Sequence, residues 1–151
     1  MASSSHKPPA GPDDWIARAK LELRNITGSY HGRMSNDVKI ECALRATEAA
    51  LKAIIWKKER WATWPARRGH FKFLYGHNYQ GMLDRTGLRI AMHGDPKIWA
   101  SWQTLINAAL KEYRYSPEQP SDKEANAVAK SARDIDEGVV PWLIKRYHEM
   151  I

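Results

Sequence analysis

Apolar residues recur along most of the chain every three or four positions, which is the spacing of amphipathic helices. This pattern predicts a first helix over about 13–30 and a second over about 36–56. Several alanines in the second helix leave room for the close approach of a neighbouring helix. A short third helix over about 78–86 is predicted to end at Gly87, because glycine is favoured just after a helix.

Two further helices are predicted in the second half of the chain, over about 96–114 and about 121–147. The last helix opens with "SDKE", which has the form of a capping box. Gly138 and Pro141 lie within it, so we expect a bend near Glu137. Since strand-like alternation is nearly absent, the sequence predicts an all-α protein, an antiparallel helical bundle of about five helices.

The length of 151 residues and the apolar fraction of 43% fit one domain with a real core. Residues 1–12 are rich in serine and proline and lack an apolar signal segment, so we interpret them as a disordered leader before a helical domain over 13–151. No apolar run approaches the roughly 20 residues that cross a membrane. The single cysteine, Cys42, cannot form an internal disulfide and is expected to be buried. These features favour a cytoplasmic location.

The formal net charge of +7 favours a polyanionic partner such as RNA. Cations and aromatic rings alternate between residues 52 and 72, and single-stranded nucleic acid is bound by cations that hold phosphates beside rings that stack on bases. In the alternative interpretation, the tryptophans pin an irregular segment to the bundle and the cations face water. The candidate binding residues of this basic aromatic segment are Lys52, Lys57, Lys58, Arg60, Trp61, Trp64, Arg67, Arg68 and Lys72.

His77, at the start of the third predicted helix, has three interpretations. It could cap the helix, or it could bond to Glu48 or Thr47 on the second helix. It could also act as a catalytic base beside Arg114, whose cation would stabilise a phosphorane-like transition state. The six histidines are scattered, and CxxC, HExxH and phosphate-loop motifs are missing, so we predict neither a metal site nor a cofactor.

Three motifs occur in a characteristic order: "ECALRATEAALKAIIWKKE" (41–59), "HNYQGML" (77–83) and "YRYSPE" (113–118). With these motifs the chain resembles the HEPN domain family of small all-helical domains, over about residues 14–147. His77 matches the histidine of the family's "HDL"-like motif, with Asn78 and Tyr79 in place of the commoner Asp and Leu. Arg114 matches the arginine of an "RYP"-like motif, in which Ser116 replaces the usual proline.

This chain differs from the family's ribonucleases at their catalytic motif. Those enzymes use an arginine and a histidine with four to six residues between them, near a dimer interface, to cleave RNA without metal. After Arg114 this chain holds only His148, which is far too distant. The chain therefore resembles the branch that lacks the motif. The resemblance further implies a homodimer, association with nucleotide or RNA, and often a minimal nucleotidyltransferase partner in a toxin–antitoxin-like defence module.

Three functional hypotheses follow. The first is a non-catalytic HEPN-like module that binds RNA or nucleotide through the basic aromatic segment together with His77 and Arg114. The second is a metal-independent ribonuclease in which His77 and Arg114 meet in space. The third is a purely structural protein for dimerisation or partner interaction, whose positive charge only aids solubility.

The first hypothesis predicts that Arg67→Glu combined with Arg68→Glu weakens binding to single-stranded RNA. The slope of log affinity against log salt concentration should fall by roughly 0.7 for each phosphate that the variant no longer neutralises. Lys20→Glu combined with Lys145→Glu changes the net charge equally outside the segment and serves as the control. Fluorescence anisotropy at several salt concentrations measures both quantities, and a slope equal to that of the parent would contradict the assignment.

Overall fold

The structure is a computed structural model that describes residues 9–27, 34–65, 69–111 and 118–151. All of the regular secondary structure within these ranges is helical, which confirms the predicted fold class. In chain order, the described ranges contain seven α-helices and one 3-10 helix: α1 (Pro12–Thr27), α2 (Asn36–Glu59), the 3-10 helix (Gly69–Leu74), α3 (Tyr79–Thr86), α4 (Arg89–His93), α5 (Pro96–Lys111), α6 (Asp122–Arg133) and α7 (Val139–Glu149).

Helix α2 is the centre of the bundle. It packs against α1, α3, α5, α6 and α7, and every residue from 49 to 56 is buried. The alanines at four successive positions of its inner face are fully buried and let the neighbouring helices approach closely: Ala43, Ala46, Ala50 and Ala53. The helix also continues three residues beyond the predicted end, to Glu59, where Arg60 adopts a left-handed conformation with φ of 56° and closes it.

The predicted last helix is in fact two helices, α6 and α7, separated by a sharp turn. The Asp134 carboxylate accepts hydrogen bonds from the backbone N–H groups of Asp136 at 2.8 Å and Glu137 at 3.1 Å, and these bonds lower its pKa. A Cβ atom at Gly138 would lie 2.4 Å from the Asp134 carbonyl oxygen, so this turn requires glycine. Pro141 lies in the first turn of α7, where its missing N–H costs nothing. The expected bend is therefore in the right place, but the prediction of one continuous helix is wrong.

The helix termini agree with the sequence patterns at several positions. The Asn78 side chain accepts a hydrogen bond from the Gly81 amide at 2.9 Å and caps α3, which ends at Gly87 with φ of 77°. The Ser121 hydroxyl accepts from the Glu124 amide at 3.1 Å, as a capping box requires, although the Glu124 carboxylate pairs with Lys111.

Other boundaries differ from the prediction. Helix α4 has only five residues, too few for an apolar period to be recognised, and the sequence pattern does not predict it. The predicted ends of α1 and α5 stay predictions, because residues 28–30 and 112–114 lie outside the described ranges. Cys42 is buried as expected, and burial raises the pKa of its thiol. None of the described helices is long and apolar enough to cross a membrane.

We expect Leu51→Ala to lower the free energy of unfolding by about 2–5 kcal/mol, because Leu51 is fully buried at the middle of α2 and its truncation leaves a cavity. Urea unfolding followed by tryptophan fluorescence measures the change. Ile135→Ala is the control: Ile135 is 81% exposed, so the free energy of unfolding should change by at most about 0.5 kcal/mol. Equal decreases in the two variants would contradict the central position of α2.

Candidate functional site: the groove at His77

Two of the described cations of the basic aromatic segment, Lys57 and Lys58, are bonded to different neighbouring helices. Lys57 Nζ donates to the Tyr147 carbonyl oxygen at 3.1 Å and lies 4.4 Å from the centre of the Tyr147 ring. Lys58 Nζ donates to the Arg85 carbonyl oxygen at 3.0 Å. Arg60 and Lys72 are exposed. Two of these four cations therefore tie α2 to neighbouring elements. The predicted binding residues Arg67, Arg68 and Arg114 lie outside the described residues.

The tryptophans of the same segment pack on one another. The Trp64 ring centre lies 5.2 Å from that of Trp15, 5.3 Å from that of Trp56 and 5.9 Å from that of Trp61. Trp61 in turn meets Phe71 edge to face at 5.5 Å. Trp61 and Trp64 are both partly buried. This cluster pins the irregular segment to α1 and α2, as the alternative interpretation expects, and base stacking on these two rings stays a prediction.

His77 is tied to α2 by its side chain. Its Nδ1 lies 2.7 Å from Glu48 Oε1, and because a carboxylate only accepts, Nδ1 carries the hydrogen. Asn78, not His77, caps α3, and the Thr47 hydroxyl donates to the Ala43 carbonyl oxygen at 2.9 Å. Of the sequence-based interpretations, the geometry matches the bond to Glu48. The imidazole itself is 74% exposed rather than buried.

Glu48 is held on its other side by Lys52. Lys52 Nζ lies 2.7 Å from Glu48 Oε2, and only 8% of the Lys52 side chain and 15% of the Glu48 side chain are exposed. The ammonium group also lies 4.8 Å from the ring centre of Trp15, 5.8 Å from that of Tyr75 and 6.0 Å from that of Trp64. A buried cation needs such partners to offset its lost hydration. The expectation that Lys52 holds a phosphate does not fit this burial.

An open groove of about 630 Å³ lies beside His77, between α2, the start of α3 and the end of α5. Its apolar lining comes from α2 and α5, and its polar lining includes His77 and the ion pair of Arg45 with Glu41, joined at 2.5 Å. Sequence reasoning missed this groove because its apolar residues belong to the same helical stripes as the core. They are Ile40, Leu44, Ile106, Ala108, Ala109 and Leu110.

The backbone at His77 is unusual. Its φ of 55° lies in the left-handed region, which costs an L-residue roughly 1–2 kcal/mol. The next-but-one residue, Tyr79, is buried, and burial together with the charge of Glu48 raises the pKa of its phenol. Tyr79 is therefore a neutral neighbour of the imidazole, with ring centres 6.5 Å apart and planes inclined by 23°.

The histidine, cysteine, aspartate and glutamate side chains of the described ranges form no group of three that could hold a metal ion. The polar groups that line the groove include the His77 imidazole and the Arg45–Glu41 pair. Nδ1 of His77 is engaged with Glu48, whereas its Nε2 has no hydrogen-bond partner among the described residues. Such an imidazole can exchange a hydrogen bond or a proton with a ligand in the groove.

The left-handed backbone predicts an unusual order of stability at position 77. We expect His77→Gly to be more stable than His77→Ala by about 1 kcal/mol, since both lose the bond to Glu48 but only glycine adopts this φ without strain. Urea unfolding measures the difference. At Asn107, an exposed position within α5, the glycine variant should instead be less stable than the alanine variant by about 1 kcal/mol. The same order at both positions would contradict the backbone assignment.

The chain matches no protein-family model, no curated protein and no solved structure. The resemblance to the HEPN domain family stays a prediction from the sequence motifs.

Proposed function

We propose that this protein is a HEPN-like module that binds RNA or a nucleotide in the groove at His77 without cleaving it. The observation that carries the proposal is the fixed imidazole: Glu48 occupies Nδ1 of His77, and no described residue bonds to Nε2, which can therefore meet a ligand. A histidine held in this way on a groove wall is suited to positioning one polar group of a bound molecule.

The composition of the groove supports a nucleotide-like ligand. Apolar side chains from α2 and α5, such as Leu44 and Ile106, offer a surface for a base or a ribose. Arg45 adds a cation at the same wall, although it is shared with Glu41. Arg114, the arginine of the family-like motif, follows the groove residue Leu110 by four positions in the sequence. In this proposal Arg114 supplies a second cation for phosphate.

A metal-independent ribonuclease is the second candidate, and the Glu48–His77 pair favours it. A carboxylate on Nδ1 is the arrangement that orients a histidine as a general base through Nε2. The reaction would also need a cation to stabilise the charge that develops on the phosphate, and Arg45 or Arg114 would have to provide it. The family's spacing of arginine and histidine is missing after Arg114, the place that corresponds to the family's motif, so we rank this candidate second.

The resemblance extends the proposal to assembly. We propose a cytoplasmic homodimer that acts with a minimal nucleotidyltransferase in a toxin–antitoxin-like module. The third hypothesis, a purely structural interaction protein, draws on Leu110, which is 76% exposed at the edge of the groove. The RNA-binding module and the structural protein differ in one property. Only the RNA-binding module requires that RNA or a nucleotide bind in the groove.

The proposal predicts that His77→Ala weakens binding of a labelled single-stranded RNA by about threefold to tenfold, which is the value of one hydrogen bond. Fluorescence anisotropy in EDTA measures the affinity, and a denaturing gel of the same samples should show intact RNA. His148→Ala removes another exposed histidine, on α7, and should bind like the parent.

Two results would overturn the proposal in different ways. Equal affinities of the parent and His77→Ala would remove His77 from the binding site. Cleavage by the parent that is abolished in His77→Ala, but kept in His148→Ala, would establish the ribonuclease instead.

A further inference from the structure

Lys52, Glu48 and His77 form a continuous chain of charged and polar groups from the core to the groove. Lys52 Nζ meets one carboxylate oxygen of Glu48 at 2.7 Å, and His77 Nδ1 meets the other at 2.7 Å. Glu48 and Lys52 lie four positions apart on α2, so they project from the same face of that helix. The exposed fraction of the side chain rises along this series, from 8% at Lys52 to 15% at Glu48 and 74% at His77.

Lys52, the inner end of this series of side chains, is closely surrounded. The Lys52 ammonium group is surrounded by the rings of Trp15, Tyr75 and Trp64, all within 6.0 Å of the nitrogen. These rings belong to α1 and to the segments on either side of the 3-10 helix, so three parts of the chain fix the cation. Because an ammonium group only donates, the atom of residue 48 that faces it must be an acceptor.

The position of the Lys52 ammonium group affects which nitrogen of the His77 imidazole carries the hydrogen. With Oε2 of Glu48 held by Lys52, Oε1 is presented to His77 as a second acceptor. An imidazole that donates through Nδ1–H has, when neutral, a lone pair on Nε2. The groove would then offer an acceptor at this point, and the ligand group opposite it must be a donor. A ribose hydroxyl is such a donor, whereas an ionised phosphate oxygen is not.

We propose that Lys52 is a positioning residue that, through Glu48, fixes the proton of His77 on Nδ1, and that the groove thereby selects a ribose 2′-hydroxyl over a deoxyribose. The part that concerns the ligand rests on the proposed function. The part that concerns the proton does not, because it follows from contacts within the protein. The charged groups that line the groove with His77 are Asp37 and Glu41 and the cation of Arg45, all from α2.

The test of the proton position is nitrogen-15 NMR of the full chain at pH 8.5, above the ordinary titration range of imidazole. Two-bond correlations show which ring nitrogen carries the hydrogen, and the His77 signals are identified by their disappearance in His77→Ala. We expect the Nδ1–H form in the parent. In Glu48→Gln the amide oxygen should face the Lys52 ammonium group and the amide NH₂ should face His77, so the hydrogen should move to Nε2.

Two further variants show whether Lys52 directs this choice. Lys52→Met keeps a long apolar side chain between the rings but removes the donor, so Glu48 is no longer fixed and His77 should show a mixture of both forms. In Lys52→Met combined with Glu48→Gln, the amide loses its preferred orientation and the complete move to Nε2 should no longer occur. Lys145→Met removes an exposed lysine of α7 and should show the same ring form of His77 as the parent. Circular dichroism shows whether each variant folds. If Lys52→Met does not fold, the result for Glu48→Gln alone decides the test.

The ligand part is tested with an RNA oligonucleotide and the 2′-deoxy oligonucleotide of the same sequence, with thymine for uracil, at the same pH. We expect the parent to bind the RNA at least about threefold more tightly, and Glu48→Gln and His77→Ala to lose this preference. An Nε2–H form in the parent, or an Nδ1–H form that persists in Glu48→Gln, overturns the positioning role whatever binds. An Nδ1–H parent that binds both oligonucleotides equally overturns the ribose assignment alone, and a parent that binds neither overturns the proposed function as well.

Discussion

The burial of α2 on nearly all sides is the constraint on which the rest of this structure depends. A helix surrounded by five others can carry only small or apolar residues inside, and its alanines and isoleucines satisfy this requirement. Lys52 is the exception, a cation within a run of eight buried residues. Because the cost of burying an unpaired charge is high, Lys52 pairs with the Glu48 carboxylate one turn away on α2 and lies against aromatic rings from neighbouring elements.

This requirement links the core to the candidate site. Glu48 neutralises Lys52 and uses its second oxygen to hold His77, so a residue needed by the core also orients a residue of the groove. The tryptophans have a similar double role, since Trp15 and Trp64 face Lys52 and also hold the segment before the 3-10 helix against α1 and α2. One wall of the groove is therefore formed by α2, whose position is set by the packing of the core.

Much of the fold could be predicted from the sequence, because helical period and cap residues are local properties. The ends of α3 at Asn78 and Gly87 and the start of α6 at Ser121 depend on side chains within a few residues of each other. The bond between His77 and Glu48 is among the sequence-based alternatives because Glu48 lies on one recognisable helix and His77 directly precedes the cap of another. The break at Gly138 was only partly predicted, because its sharpness comes from the Asp134 turn and from the close approach of the Asp134 carbonyl oxygen.

The sequence by itself determined the helices, their apolar faces, the positive charge and the presence of lysines and tryptophans between residues 52 and 72. Only the tertiary structure decided which of those side chains face water. A lysine in a sequence has the same charge whether it binds a phosphate or a buried carboxylate, and its environment is set by residues far away in the chain, here Trp15 and Tyr75. For the same reason the groove could not be found from the sequence, since the apolar residues that line it share the helical period of the core and only the packing of α2, α3 and α5 separates the two.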